Sequence, residues 1–181
     1  MSTVRFNIPT VLTLSRIVLI PVFVFTVFKH PVIGAIVFSI ASITDFLDGY
    51  LARRSGQITK FGIIMDPLAD KFLIITALIV LVDMERLSVF IVILMVVREF
   101  LVTALRVVAL SKDIVIPAEM GGKLKTGAQI TAVLCLVLAG SVIDEIIPID
   151  LYDAGIAAIW IALVLALVSG VKYTIAFWKR I

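Results

Sequence analysis

The chain has 181 residues, of which 62% are hydrophobic and only 16% charged, and its mean hydropathy is +1.21. A soluble domain is nearer half apolar and a quarter charged, so this composition excludes a soluble globular protein and indicates an integral membrane one. The net charge of +3 comes from basic residues scattered over loops and helix ends, which excludes a nucleic-acid-binding domain, and the single cysteine, Cys135, excludes an internal disulfide or a cysteine-rich metal site.

Six apolar segments follow in chain order, at about 10–28, 31–52, 61–82, 87–110, 125–143 and 154–178, each long enough to cross a bilayer as a helix. Arg16 interrupts the first, and no small-x-small site follows it, so this segment reads as a span and not a cleaved signal. The connecting stretches, such as "KHP", "RRSGQITK" and "DMERL", are short and carry Pro, Gly or charge. Backbone groups in lipid must pair internally. The expected fold is therefore an all-α bundle of six transmembrane helices, one domain over residues 1–181.

Orientation follows from the basic residues. With the N-terminus inside, Arg5, Arg53, Arg54, Lys60, Lys112, Lys123, Lys125, Lys179 and Arg180 fall on the cytoplasmic side, and only Lys29 and Arg86 outside. Positive charge is retained on the cytoplasmic face, so both termini are expected there.

Four aspartates sit at the inner ends of the second and third segments, in "TDFLDGYLARR" and "GIIMDPLADKF". A carboxylate in hydrocarbon costs several kcal/mol, so these positions call for a function. At 100° per residue, Asp45 and Asp48 lie about 60° apart on one helix face, and Asp66 and Asp70 about 40° apart on another. A short connection makes the two helices antiparallel neighbours, so the acidic stripes can meet at the cytoplasmic boundary. Two divalent cations would balance the four charges, and all-oxygen ligation suits Mg²⁺ or Mn²⁺. Gly49 and Gly62 leave room for phosphate or metal near the backbone. The plainer reading is helix capping, which Pro67 favours for Asp66 alone, or an ion relay in a cation or proton transporter. A transporter has no need of the Gly-x-x-Ala-Arg spacing, and its sites usually lie near the midplane.

Taken together, Asp45-x-x-Asp48-Gly49-x-x-Ala52-Arg53, eight residues, then Gly62-x-x-x-Asp66-x-x-x-Asp70 resembles the signature of the CDP-alcohol phosphotransferase family at every position. The resemblance implies transfer of a phosphatidyl group from a CDP-linked lipid to an alcohol, with CMP leaving. It implies that Asp45, Asp48, Asp66 and Asp70 hold two divalent cations and that Asp70 is also the general base. Gly49, Ala52, Arg53 and Gly62 correspond to the part that cradles the CDP moiety, with Asn7 and Thr10 of the first segment beside it. A homodimer in the bacterial cell membrane, with the site facing the cytoplasm, is also implied.

The stretches "NIPTVLTLSRIVLIPVF", "DPLADK", "REFLVTALR" and "GKLKT" are similar to the bacterial phosphatidylglycerophosphate synthase subfamily. That likeness implies CDP-diacylglycerol and sn-glycerol 3-phosphate as substrates; inositol phosphate is the alternative acceptor. An acceptor phosphate needs a basic pocket, and Arg98, Arg106, Lys123 and Lys125 are the candidates. A membrane arginine is costly, so Arg98 either binds ligand or pairs with a residue such as Glu99.

Overall fold

A computed structural model describes residues 8–55, 60–111 and 120–179. The side chains at 8–14, 16, 45–55, 60–70, 110–111, 120–121 and 123 lie outside that description. The described residues form seven helices and no strand: α1 Ile8–Val27, α2 Pro31–Ser55, α3 Lys60–Asp83, α4 Val89–Ser111, α5 Met120–Leu138, α6 Val142–Ile146 and α7 Leu151–Trp178. Six correspond to the apolar segments read from the sequence. The seventh, α6, is a short helix between α5 and α7.

The main departure is α5, expected at about 125–143 and found at Met120–Leu138. Its first turns contain Gly121, Gly122 and Lys123, which hydropathy scores as a loop although the backbone there is helical. It stops at Leu138 because Gly140 turns the chain with φ +68°, a conformation glycine adopts without strain. Ser141 then caps α6, its hydroxyl accepting from the backbone N–H of Ile143 at 3.3 Å. Asp150 plays the same part for α7, accepting from Tyr152 N at 2.8 Å and Asp153 N at 3.1 Å, which starts that helix earlier than hydropathy suggests.

Helix directions follow from the contacts. Phe23 on α1 meets Phe38 on α2 with ring centroids 5.6 Å apart, so this hairpin is antiparallel. On α7 the buried residues Leu151, Gly155, Ile159, Ala162, Ala166, Ser169, Tyr173 and Phe177 recur every three or four positions and form a single stripe. That stripe packs against α5 and α4, and small residues dominate its middle, which lets the helices approach closely. The largest fully buried side chains are Phe23, Phe38, Leu78, Leu81, Met95, Leu136 and Ile159, at the centre of the bundle.

Two glycines set the closest approaches. A Cβ at Gly34 would stand 2.7 Å from the Cα of Val27, and one at Gly155 would stand 2.7 Å from Leu136 Cγ. A Cβ at Gly127 would meet no atom of another helix within 4 Å among the described residues. Gly34→Ala and Gly155→Ala are therefore expected to lower stability by about 1–3 kcal/mol. Gly127→Ala should instead raise it by about 0.5–1 kcal/mol, because alanine favours the helix interior. Thermal unfolding of the purified variants checks both signs.

Candidate active site

The aspartates of the two acidic stripes are positioned by backbone in consecutive helices. Asp45 and Asp48 lie in α2, Asp66 and Asp70 in α3, and the helices touch. Gly49, Ala52 and Arg53 extend α2 beyond Asp48, and Gly62 precedes Asp66 in α3. Thr10 lies in the first turn of α1, which packs on both α2 and α3. The side chains of these residues, and Asn7 altogether, lie outside the described residues, as does the side chain of Lys123 in α5. Among the described residues no three His, Cys, Asp or Glu side chains gather as metal ligands.

The basic residues can be followed in detail. Arg98, in the middle of α4, lies against α7: its Nε donates to the carbonyl of Ala166 at 2.7 Å and its Nη2 to Ser169 Oγ at 2.6 Å. The contact needs Gly170, where a Cβ would come within 3.3 Å of Nε. Arg98 Nη1 donates to Glu99 Oε1 at 2.9 Å. Lys125, from the second turn of α5 and only 5% exposed, donates to the same carboxylate oxygen. Glu99 thus joins one cation from its own helix to another from α5. Ser169 can serve Arg98 because its hydroxyl accepts from the guanidinium and donates to Leu165 O at 2.7 Å.

Arg106, two turns beyond Arg98, also turns to α7, with its Cζ 5.9 Å from the ring centroid of Tyr173. This is cation–π range. The Tyr173 hydroxyl is buried and has no hydrogen-bond partner among the described residues. The structure therefore joins Arg98 and Lys125 through Glu99, and sets Arg106 two turns further along α4 against the same helix α7. Lys71, the neighbour of Asp70 in α3, is close enough for its charge to bear on Lys125. The carboxylate-bearing helix thus borders the basic cluster. Both readings of Arg98 meet here, since it pairs with Glu99 and retains donors for a ligand.

A basic cluster beside an α2–α3 pair with four carboxylates is the arrangement expected for anionic substrates and divalent cations together. The sequence pattern of CDP-alcohol phosphatidyltransferases matches residues 6–168. The chain belongs to that family. Curated relatives of the same family agree over nearly their whole length. The CDP-diacylglycerol–glycerol-3-phosphate 3-phosphatidyltransferase of Bacillus subtilis is 40% identical, covering 97% of each chain. The enzymes of the same name from Rickettsia bellii and Salmonella typhimurium are 38% and 39% identical, covering 92% and 93% of this chain and 93% of each relative.

Sequence reasoning grouped Arg98, Arg106, Lys123 and Lys125 as an acceptor-phosphate pocket and named Glu99 as a partner for Arg98; the Arg98–Glu99 pair is present. It missed Ser169 and Tyr173, which lie beyond the family match and one helical turn apart on α7. The available signal was a serine and a tyrosine at i, i+4 in an otherwise apolar span. Tyr173→Phe keeps the ring beneath Arg106 and deletes a hydroxyl that has no partner among the described residues. Its thermal stability should be unchanged or higher by up to about 1–2 kcal/mol. Tyr173→Leu should lose about 0.5–1 kcal/mol with the cation–π contact. A destabilised Tyr173→Phe would mean that the hydroxyl has a partner.

Proposed function

We propose that this chain transfers the phosphatidyl group of CDP-diacylglycerol to sn-glycerol 3-phosphate, giving phosphatidylglycerophosphate and CMP. The observation that carries this reading is 40% identity over 97% of each chain to a relative of that name. The buried cations of α4 and α5 support a phosphorylated acceptor, because cations held away from water need an anion.

The chain works from within the bacterial cell membrane as one domain. Its six long helices cross the bilayer, with both termini and the site on the cytoplasmic side, and α6 lies outside. Helix α7 is long and apolar enough to span. On other helices large apolar side chains such as Phe25, 78% exposed, Val18 and Phe90 point outward, as lipid contact requires. The acyl chains of the donor stay in the bilayer while its CDP head and the polar acceptor meet at the inner boundary. We assign the working form as a homodimer on the family resemblance.

Asp45 and Asp48 of α2 and Asp66 and Asp70 of α3 are the residues to hold two divalent cations, Mg²⁺ or Mn²⁺. When bound, such ions neutralise a diphosphate and stabilise attacking and leaving oxygens together. The carboxylate set fits them by number and by its oxygen-only chemistry. Gly49, Ala52, Arg53 and Gly62, with Asn7 and Thr10, receive the CDP head, Arg53 offering its fork to phosphate. Arg98, Arg106, Lys123 and Lys125 bind the acceptor phosphate. The acceptor hydroxyl then attacks the lipid-side phosphorus, its proton passing to Asp70. The new P–O bond forms as the bond to CMP breaks.

Release of CMP from CDP-diacylglycerol should require glycerol 3-phosphate, and glycerol or inositol phosphate should serve poorly. It should stop in excess chelator and resume with Mg²⁺ or Mn²⁺, and Asp45→Ala and Asp66→Ala should be inactive though inserted. Equal CMP release with inositol phosphate would move the enzyme to another acceptor, and full activity in chelator would remove the cations. Asp70→Asn keeps one ligating oxygen but cannot take the proton. It should lose about 10²–10⁴-fold in kcat while retaining CDP-diacylglycerol binding. A near-normal kcat would reassign the base.

A further inference from the structure

We infer that Glu99 and Ser169 are positioning residues for the acceptor phosphate, holding Arg98 and Lys125 as a clamp formed before substrate arrives. The inference deepens the reading above and rests on it, because the clamp is the pocket given there to glycerol 3-phosphate. Neither residue has a donor to offer an anion. Glu99 is itself acidic, and Ser169 commits its one O–H to Leu165 O, so both act through the cations they touch.

The donor count supports this assignment. A guanidinium has five N–H donors, and Arg98 commits three, to Ala166 O, Glu99 Oε1 and Ser169 Oγ. Two remain, one on each terminal nitrogen. An ammonium has three, and Lys125 commits one to Glu99. Among the described residues the two cations face a single carboxylate, which leaves one positive charge in excess and four N–H donors unused. The Arg98 and Lys125 side chains are only 11% and 7% exposed, so water does not readily meet that demand. A phosphate monoester supplies both the charge and the acceptor oxygens.

The committed bonds fix geometry. Arginine and lysine side chains have many rotamers, and ordering them at the moment of binding weakens affinity. Ala166 and Ser169 hold the guanidinium on α7, and Glu99 sets its distance from the α5 ammonium. Gly170 makes room for the guanidinium. The clamp is assembled by three helices and needs no substrate to form.

This role and simple charge balance differ in sign. If Glu99 only opposes an anionic ligand, its neutralisation should lower the KM for glycerol 3-phosphate. If it positions the cations, Glu99→Gln should raise that KM about tenfold or more, the scale of a lost hydrogen bond to a charged group. The KM for CDP-diacylglycerol should stay within about twofold, a shift small beside that loss. Ser169→Ala should act in the same direction more weakly, and Ser169→Thr, which keeps the hydroxyl, should restore the KM. The measurement is steady-state CMP release by the full chain in detergent micelles, with either substrate varied. An unchanged or lower acceptor KM in both Glu99→Gln and Ser169→Ala overturns the inference. So does a parallel rise in both KM values, which marks a general structural defect. Should Glu99→Gln fail to insert, the two Ser169 variants decide alone. If the unmodified enzyme does not saturate with glycerol 3-phosphate, the acceptor reading itself falls and takes this inference with it.

Discussion

One carboxylate oxygen, Glu99 Oε1, accepts from an arginine of its own helix and a lysine of another, inside a largely apolar bundle. An ion buried there without a partner costs several kcal/mol, and an ion pair recovers this only when its geometry is good. Such a pair adds little net stability. What it fixes is register. Sliding α5 by one turn against α4, about 5.4 Å, would strand Lys125 and leave Glu99 with one partner. The bonds from Arg98 to Ala166 and Ser169 impose the same condition on α7. Apolar helices in lipid have no hydrophobic reason to choose one register over another, so polar contacts and close packing make the choice.

The small residues make that choice reachable. Gly155 and Gly170 on α7 remove side chains where α5 and Arg98 come closest. At the opposite end of the bundle, Arg86 donates to the carbonyls of Leu136 and Val137 in the last turn of α5, where no helical partner remains. Burial pushes the Arg86 guanidinium down from its usual value, and the nearby Asp144 carboxylate pulls it back up. Asp144 in turn accepts from Gly140 N at 2.7 Å and Leu151 N at 3.2 Å, closing the connection between α5 and α7. Both ends of α5 are thus tied by charge.

The aspartates of the motif and the basic group lie on different helices. Asp45, Asp48, Asp66 and Asp70 belong to α2 and α3, and Arg98, Arg106, Lys123 and Lys125 to α4 and α5, with Lys71 on α3 close enough for its charge to bear on Lys125. The proposed reaction joins two phosphate-bearing substrates, and this separation suits it: carboxylates can hold cations beside a diphosphate, and basic side chains can receive an acceptor phosphate. Helix order alone does not bring the two sets together. It requires α3 to pack on both α4 and α5, which it does.

Much of this was legible in the sequence, for definite reasons. Length and apolarity marked six of the helices, since apolar runs of about twenty residues read as helices. The aspartates stood out because each is costly where it lies, and their spacing of three and four placed each pair on one helix face. Arg98 was conspicuous on the same ground. The start of α5 was not legible, because two glycines and a lysine carry no apolar signal. The cap at Asp150 and the short helix α6 depend on local hydrogen bonds that hydropathy ignores. Ser169 and Tyr173 gain meaning only when α7 lies beside α4, since one serine and one tyrosine in an apolar span are unremarkable by themselves. The sequence by itself determined the six long helices, to within a few residues at their ends, and the residues whose charge needed an explanation. Tertiary structure decided which charges meet, because partners 26 and 71 residues away along the chain are selected by packing and not by spacing.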